Sequence, residues 1–231
     1  MRDDEPLLVL GADGCKGGAW VVAVIDGEGA LTWHGAADTA SLLALADELE
    51  AAAVALDVPI GLPPLGGGRD CDRQARAAIG ARGSSVFPAP PREVLACGSY
   101  AEARPVAPWL SAQAFGLVPR IREVDDALRA SGRDVHQRVV ECHPEVAFAA
   151  MAAGRFVLAT KKSAAGALQR IGLLEQALGD ALPSDVPAVA ALDDALDAAA
   201  CALVALRWAR GDADVLGEQV DATGVPMRIV V

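Results

Sequence analysis

The first part of the chain alternates short apolar runs with glycine-rich turns. Residues 7–12, 19–25 and 31–34 are apolar runs of strand length, and residues 13–18 and 26–29 are the turns between them. Connections this short join neighbouring antiparallel strands, because a parallel connection needs a crossover of a dozen or more residues. The pattern therefore predicts an opening three-stranded meander.

A helix and a fourth strand follow the meander. After a candidate N-cap at Asp38 or Thr39, apolar residues recur at the spacing of one helical face: Leu42, Leu45, Ala46 and Leu49. Residues 53–56 then form an apolar run that predicts strand four. A helix between strands three and four permits a parallel crossover, so strand four can lie beside strand one.

The rest of the chain is mainly helical, apart from an irregular region rich in Gly and Pro at 61–110. The predicted elements are helices at 69–79, 119–130 and 146–153, strand five at 138–141, a helix that turns Leu168, Ile171, Leu174 and Leu178 inward, a last helix at 191–210 and a short strand at 227–231. We therefore expect an α/β fold with a five-stranded mixed sheet flanked by helices. It would form a single domain of residues 1–231, with an insertion at about 61–135 between strands four and five.

Three predicted strands end in an acidic residue. Strand one ends at Asp13, strand four at Asp57 and strand five at Glu141. Open α/β sheets place their sites at the carboxyl ends of neighbouring strands. If strands one and four are parallel neighbours, Asp13 and Asp57 lie side by side.

The last helix opens with three aspartates in five residues. Asp194 and Asp197 are one turn apart, and the face that they share continues as an apolar face through Cys201 and Val204. An apolar face packs inward, where uncompensated carboxylates cost free energy, so a hard divalent cation is the simplest counter-charge. The alternative is helix capping, which suits Asp193 but not Asp197, because Asp197 lies too far along the helix.

Composition narrows the function classes. The net charge of −11 argues against broad, non-specific nucleic-acid binding, although not against a small site with local positive charge and metals. Five cysteines, an odd number without a Cys-x-x-Cys pair, argue against a disulfide framework or a zinc ribbon. No apolar run approaches the ~18 residues of a membrane span. Residues 1–5 also lack a signal-peptide pattern, so we expect a cytoplasmic protein that does not contact a membrane.

Six short stretches, spread over nearly the whole chain, resemble the landmarks of the domain of unknown function family 429. They are residues 11–18 (GADGCKGG), 57–63 (DVPIGLP), 71–76 (CDRQAR), 84–87 (SSVF), 141–145 (ECHPE) and 193–198 (DDALDA). That family is described as predicted RNase H-like nucleases. The order of three meander strands, a helix and two further strands also resembles the RNase H-like fold. The spacing of Asp194 and Asp197 is similar to the final-helix motif of Holliday-junction resolvases.

The resemblance implies a metal-dependent nuclease (a hydrolase). In RNase H-like proteins, carboxylates from strand one, strand four and the last helix hold two metal ions, here Mg²⁺ or Mn²⁺, for phosphodiester hydrolysis. The candidate catalytic and metal-binding residues are Asp13, Asp57, Glu141, Asp194 and Asp197. The substrate would be a nucleic acid or a nucleotide-like phosphodiester. The candidate substrate-binding residues are basic or polar: Lys16, Arg69, Arg73, Arg76, Ser84, Ser85, His143 and Lys161.

Other interpretations stay open at this point. The arginines of the 69–79 helix share one face, which also suits a solvated surface with an Asp72–Arg76 pair. His143 also suits a helix cap or a packed ring, and Lys161 a solvated position. Two rival functions are an actin-like ATPase or phosphotransferase and a non-catalytic nucleic-acid or nucleotide binding protein. An actin-like ATPase or phosphotransferase normally needs two such domains and a second phosphate-binding hairpin, whereas the sequence shows only one.

Overall fold

The chain divides into two units in the computed structural model. The part of the chain that the structure describes is residues 7–132, 134–154 and 158–231. The first unit comprises residues 1–57, 138–214 and 230–231, and the second comprises residues 58–137 and 215–229. The single domain with an insertion at about 61–135 stays a prediction.

Seven strands are present among the described residues. They are β1 (Val9–Gly14), β2 (Trp20–Ile25), β3 (Leu31–Ala36), β4 (Ala53–Leu56), β5 (Val139–Glu141), β6 (Val215–Val220) and β7 (Pro226–Val230). β1 to β5 form one sheet with the order β3-β2-β1-β4-β5, and β6 pairs with β7. β1, β2 and β3 pair antiparallel, whereas β4 runs parallel to β1 and β5 parallel to β4. The predicted meander, the crossover and the five-stranded mixed sheet are therefore confirmed.

Nine α-helices lie in the described residues. They are α1 (Thr39–Glu48), α2 (Asp70–Ala78), α3 (Tyr100–Val106), α4 (Ala112–Phe115), α5 (Val118–Ala130), α6 (Val135–Arg138), α7 (Pro144–Ala152), α8 (Ala164–Leu178) and α9 (Leu192–Arg210). Two 3₁₀ helices span Gly80–Ser85 and Arg92–Ala96. None of these helices has both the length and the apolar character needed to span a bilayer. α1 packs against β2 and β3, and α7 and α8 pack against α9, so the α/β class is confirmed.

α9 covers the centre of the sheet, where it packs against β1, β2 and β4. Cys201 and Val204 lie on its buried face, as the sequence predicts. The close approach of helix and strand depends on Gly11 in β1. A Cβ at this position would lie 1.9 Å from Ala202 N and 2.4 Å from Ala198 O, both backbone atoms. A glycine therefore lets α9 lie near enough to the sheet to bring its first turns to the ends of β1 and β4.

We expect Gly11→Ala to destabilise the protein. The added methyl group overlaps helix backbone that can move only by repacking, and such overpacking costs about 1–3 kcal/mol, occasionally more. Urea unfolding of the variant measures the change in the free energy of unfolding. Gly172→Ala is the matched control. Gly172 lies inside α8 with open space around its missing side chain, so alanine there should be neutral or stabilising. Equal stability of Gly11→Ala and wild type would show that α9 does not depend on this contact.

In the second unit, Asp221 organises the turn between β6 and β7. Its carboxylate accepts hydrogen bonds from the hydroxyl (2.6 Å) and the backbone N–H (2.8 Å) of Thr223, from the backbone N–H of Val225 (3.0 Å) and from the Arg92 guanidinium. Burial alone would raise the pKa of Asp221, but these hydrogen bonds hold it well below its usual value. Arg92 also donates to Asp125 of α5 at 2.7 Å. This network is internal to the second unit.

The sequence prediction is wrong in detail at α8 and at β6. Leu168, predicted to face inward, is 69% exposed, because the buried face of α8 consists of Gly166, Arg170, Leu173 and Leu174. An arginine thus takes a place that the periodicity assigned to leucine. β6 was not predicted, because Gly217 with its positive φ interrupts a strand whose other residues are mostly exposed.

Candidate metal centre

Three carboxylates of the first unit meet at the ends of β1 and β4 and in the second turn of α9. Asp13, Asp57 and Asp197 each offer one oxygen, and these oxygens all lie within 4.8 Å of one another. The parallel register pairs Ala12 with Leu56, and the Asp57 N–H donates to Ala12 O at 3.1 Å. Because the strands are in register, the two aspartates that follow these residues are adjacent, as the sequence predicts.

The cluster is shielded from water. Asp13 and Asp57 are partly buried, and the Asp197 side chain is only 1% exposed. Burial is the largest cause that raises the pKa of Asp57 to about 6 and the pKa of Asp197 to about 7. The pKa of Asp13 is raised well above its usual value by burial and then by the charges of Asp57 and Asp197. Keeping all three ionised therefore costs free energy unless a cation is close.

One lysine already supplies a cation. The Lys161 ammonium contacts Asp197 Oδ2, and the charges of Asp197, Asp13 and Asp57 raise the pKa of Lys161, although burial acts against this. Lys162 pairs with Asp193 at 2.6 Å. Both lysines thus pair with aspartates of α9, but only Lys161 is largely buried.

The donor set of the cluster suits a hard divalent cation. Three carboxylate oxygens within 4.8 Å are the ligands that Mg²⁺ and Mn²⁺ prefer. Asp197 Oδ1 is buried and has no hydrogen-bond partner within the described part of the chain. A buried carboxylate oxygen normally has a partner, so a cation here would satisfy it. The cluster is therefore compatible with a metal site.

Without metal, the raised pKa values predict a stability that depends on pH. Between about pH 4 and pH 7 the folded protein binds more protons at Asp57 and Asp197 than the unfolded chain does. Stability contributed by these groups is therefore greatest below the unfolded pKa, falls as pH rises through the folded pKa values near 6 and 7, and then levels off. Thermal melts in chelator between pH 4.5 and 8 measure this slope.

Asp197→Asn isolates the contribution of the cluster to that slope. The amide keeps the shape but cannot ionise, so the variant should lose less stability than wild type between pH 5 and 8. Carboxylates outside the cluster titrate equally in both proteins and cancel in the comparison. The pKa of Asp13 should fall in the variant, because the charge of Asp197 no longer raises it, and this reduces the loss of stability further. Parallel pH profiles for wild type and variant would contradict the raised pKa of Asp197.

Two predicted metal ligands lie outside the three-carboxylate cluster. In the part of the chain that the structure describes, neither Glu141 nor Asp194 belongs to the group of potential metal ligands. Glu141 is buried at the end of β5, where it pairs in register with Leu56. One carboxylate oxygen of Asp194 accepts the Ala191 N–H at 3.0 Å, which is a helix-capping contact. Their assignment as catalytic and metal-binding residues stays a prediction.

Three of the predicted substrate-binding residues, Lys16, His143 and Lys161, belong to the first unit. Lys16 is exposed in the turn after β1, close in sequence to Asp13. His143 is the N-cap residue of α7, and its carbonyl accepts from the N–H of Val146 at 2.9 Å. Lys161 contacts the Asp197 carboxylate of the cluster. Contact of any of them with substrate stays a prediction.

The remaining predicted substrate-binding residues belong to the second unit. Arg69 is buried, precedes α2 as its N-cap and donates to Asp72 and to Ile60 O, so it does not share a solvated face with the others. The anticipated Asp72–Arg76 pair is therefore wrong. Asp72 instead pairs with Arg69, because the arginine before the helix can fold back over its first turn.

The other side chains of this group are less buried. Arg73 pairs with Asp70 at 2.8 Å on the surface, and Arg76 donates to Val86 O at 3.0 Å. Ser84 is exposed, and Ser85 donates to the Arg82 carbonyl at 2.7 Å within a 3₁₀ helix. Each of these contacts is internal to the second unit, and a role in substrate binding stays a prediction.

Sequence reasoning missed a buried ion pair beside the cluster. Arg170 of α8 donates to both carboxylate oxygens of Glu145 on α7, at 2.8 and 2.9 Å, and its guanidinium lies 5.2 Å from the centroid of the Phe148 ring. The charge of Glu145 also raises the pKa of Asp57 and of Asp197. The sequence signal for this ion pair was Arg170 itself, a single arginine one turn before Leu174 in a pattern of otherwise apolar residues.

A family model matches most of the chain. It is described as "Protein of unknown function (DUF429)" and matches residues 11–222, a range that contains Asp13, Asp57 and Asp197. No curated protein and no solved structure matches the chain. The chain belongs to the family described as Protein of unknown function (DUF429).

Proposed function

We propose that this protein is a metal-dependent phosphodiester hydrolase of the nuclease type. The observation that carries the proposal is the buried cluster of Asp13, Asp57 and Asp197, delivered by two adjacent parallel strands and by α9. The strand order β3-β2-β1-β4-β5, with the last helix across the centre of the sheet, supports an RNase H-like origin. Fold alone does not decide activity, so we infer the activity from the chemistry of the cluster.

The three aspartates of the cluster would bind metal, and Lys161 would supply further positive charge. Asp13, Asp57 and Asp197 would hold Mg²⁺ or Mn²⁺ through their carboxylate oxygens. When bound, such an ion supplies Lewis acidity for the phosphoryl oxygen and lowers the pKa of water. The Asp13 carboxylate accepts the Gly14 N–H at 2.7 Å, which orients it at the end of β1. Lys161 adds positive charge on the same side of the sheet, where a phosphodiester would bring negative charge.

The substrate is proposed to bind locally rather than along an extended surface. The net charge of −11 repels polyanions over most of the protein, so cleavage requires contacts concentrated near the cations of the centre. Lys16 is exposed in the glycine-rich turn that follows Asp13, where its side chain can reach a phosphate. Short nucleic acids or nucleotide-like phosphodiesters fit this arrangement.

A cleavage assay with the full chain tests the proposal. Short single-stranded and double-stranded DNA and RNA are incubated with Mn²⁺, with Mg²⁺ and with chelator, and ATP hydrolysis is measured in parallel. We expect metal-dependent cleavage of at least one of the nucleic acids and none in chelator. ATP hydrolysis without cleavage would favour the actin-like ATPase or phosphotransferase. Absence of both activities, with metal bound, would favour a non-catalytic binding protein.

A further inference from the structure

The charges around the carboxylate cluster do not cancel. Asp13, Asp57 and Asp197 are ionised when they ligate a metal, which gives three negative charges. Lys161 contributes one positive charge, because its ammonium contacts the Asp197 carboxylate and is attracted by the carboxylates of Asp13 and Asp57. The four side chains together therefore carry a net charge of −2. One divalent cation neutralises that charge, whereas two leave an excess of positive charge in a shielded place.

Two neighbouring carboxylates, Glu145 and Asp193, belong to ion pairs that are neutral overall. Glu145 on α7 is neutralised by Arg170, which donates to both of its carboxylate oxygens. Asp193 at the start of α9 is paired with Lys162. Each of these pairs has a net charge of zero, so neither pair changes the net charge of −2.

The two oxygens of Asp197 have different surroundings. Oδ2 accepts from the Lys161 ammonium, whereas Oδ1 is buried without a hydrogen-bond partner in the described chain. The carboxylate can therefore bind the ammonium through one oxygen and a metal ion through the other. Asp13 and Asp57 each offer a further carboxylate oxygen, within 4.8 Å of each other and of an Asp197 oxygen.

The backbone around Lys161 is held in place rather than free to withdraw. Arg170 donates to the carbonyl of Ala159 at 3.1 Å. Gly166 in the first turn of α8 lies so close that a Cβ there would be 2.0 Å from Thr160 O. The segment before α8 is thus packed onto that helix, and the same buried arginine that neutralises Glu145 anchors it. The segment packed onto α8 therefore holds Lys161 beside the cluster.

We propose that the Lys161 ammonium takes one of the two cation positions of the centre, so that the cluster binds a single divalent ion per chain. This inference rests on the proposed metal-binding function but departs from the two-ion arrangement that the resemblance implies. An ammonium cannot supply a ligated water, so it would stabilise charge on the phosphodiester while the divalent ion supplies the Lewis acidity. Lys161 is then part of the cation set of the centre.

Counting bound Mn²⁺ by equilibrium dialysis of the full chain tests the inference without any measurement of activity. Wild type is expected to bind one ion per chain. Lys161→Met removes the competing charge, so the variant is expected to bind the first ion about tenfold more tightly and to admit a second. Electron paramagnetic resonance distinguishes one isolated Mn²⁺ from a coupled pair. Lys162→Met is the matched control: its side chain is 73% exposed and pairs with Asp193 outside the cluster, so one ion per chain should remain.

The possible outcomes separate the inference from the proposed function. Two ions of comparable affinity in wild type would overturn the single-ion arrangement and leave the metal-dependent function standing. Unchanged number and affinity in Lys161→Met would likewise overturn it, and circular dichroism of the variant checks that the fold is retained. No Mn²⁺ binding by wild type or by either variant would overturn both proposals. The wild-type count decides even if Lys161→Met fails to fold.

Discussion

Asp57→Asn should abolish metal-dependent cleavage while leaving the protein folded. The amide keeps the shape of the side chain at the end of β4 but offers a neutral and weaker oxygen to a metal ion. Loss of a residue that only supports a metal ligand costs about 10–100-fold, so loss of a ligand should lower the rate by more than about 100-fold. Without metal the variant should be at least as stable as wild type, because a carboxyl whose burial raises its pKa to about 6 no longer ionises.

The measurement pairs initial cleavage rates in Mn²⁺ with thermal melts in chelator. Asp185→Asn is the matched control, because Asp185 is an exposed residue of the loop before α9 and has no part in the cluster. Its rate should equal that of wild type. Asp13→Asn is expected to behave as Asp57→Asn does. Full cleavage activity in either variant would remove that aspartate from the centre.

Arg170→Met should cause the largest loss of stability among the changes considered. The arginine is fully buried, and its removal leaves the Glu145 carboxylate buried without its bidentate partner. Breaking a buried pair in this way typically costs about 3–5 kcal/mol, because an uncompensated charge remains. The anchor on the Ala159 carbonyl is lost as well. Urea unfolding with linear extrapolation measures the change.

Two controls separate this cause from general sensitivity to mutation. Arg73→Met removes an arginine whose side chain is 72% exposed and paired with Asp70, and a surface pair of this kind contributes at most about 1 kcal/mol. The double variant Arg170→Met with Glu145→Leu removes both charges, so it should recover much of the loss of the single variant. A single variant within about 1 kcal/mol of wild type would mean that Glu145 finds another partner or water.

The sheet and its carboxylates could be predicted because local patterns determine them. Apolar runs separated by glycine-rich turns gave the meander, and the helix between strands three and four gave the parallel neighbour of β1. An aspartate in the last residues of a buried strand, or directly after them, lies at the strand end. Asp13 and Asp57 therefore lie close together, as expected. Asp197 followed from its position on the apolar face of a long helix.

The partners of those carboxylates could not be predicted, because tertiary packing chooses among equal local patterns. Lys161 and Lys162 are adjacent and alike in sequence, yet one contacts the cluster and the other lies at its margin. Arg69 looked like part of a basic helix face, but the helix begins one residue later and the guanidinium turns back onto Asp72. Long-range pairs such as Glu145 with Arg170 leave no periodic trace in the sequence.

The contact of α9 with Gly11 has a consequence for the order of events during synthesis. β1 and β2 form a hairpin from neighbouring residues, so they can pair soon after they leave the ribosome. The face of that hairpin that α9 covers stays open to water until more than 170 further residues have been made. A nascent chain therefore carries an uncovered apolar sheet for most of its translation, the kind of surface that chaperones bind. The metal ligands cannot converge before α9 docks, which makes metal capture a late marker of correct folding.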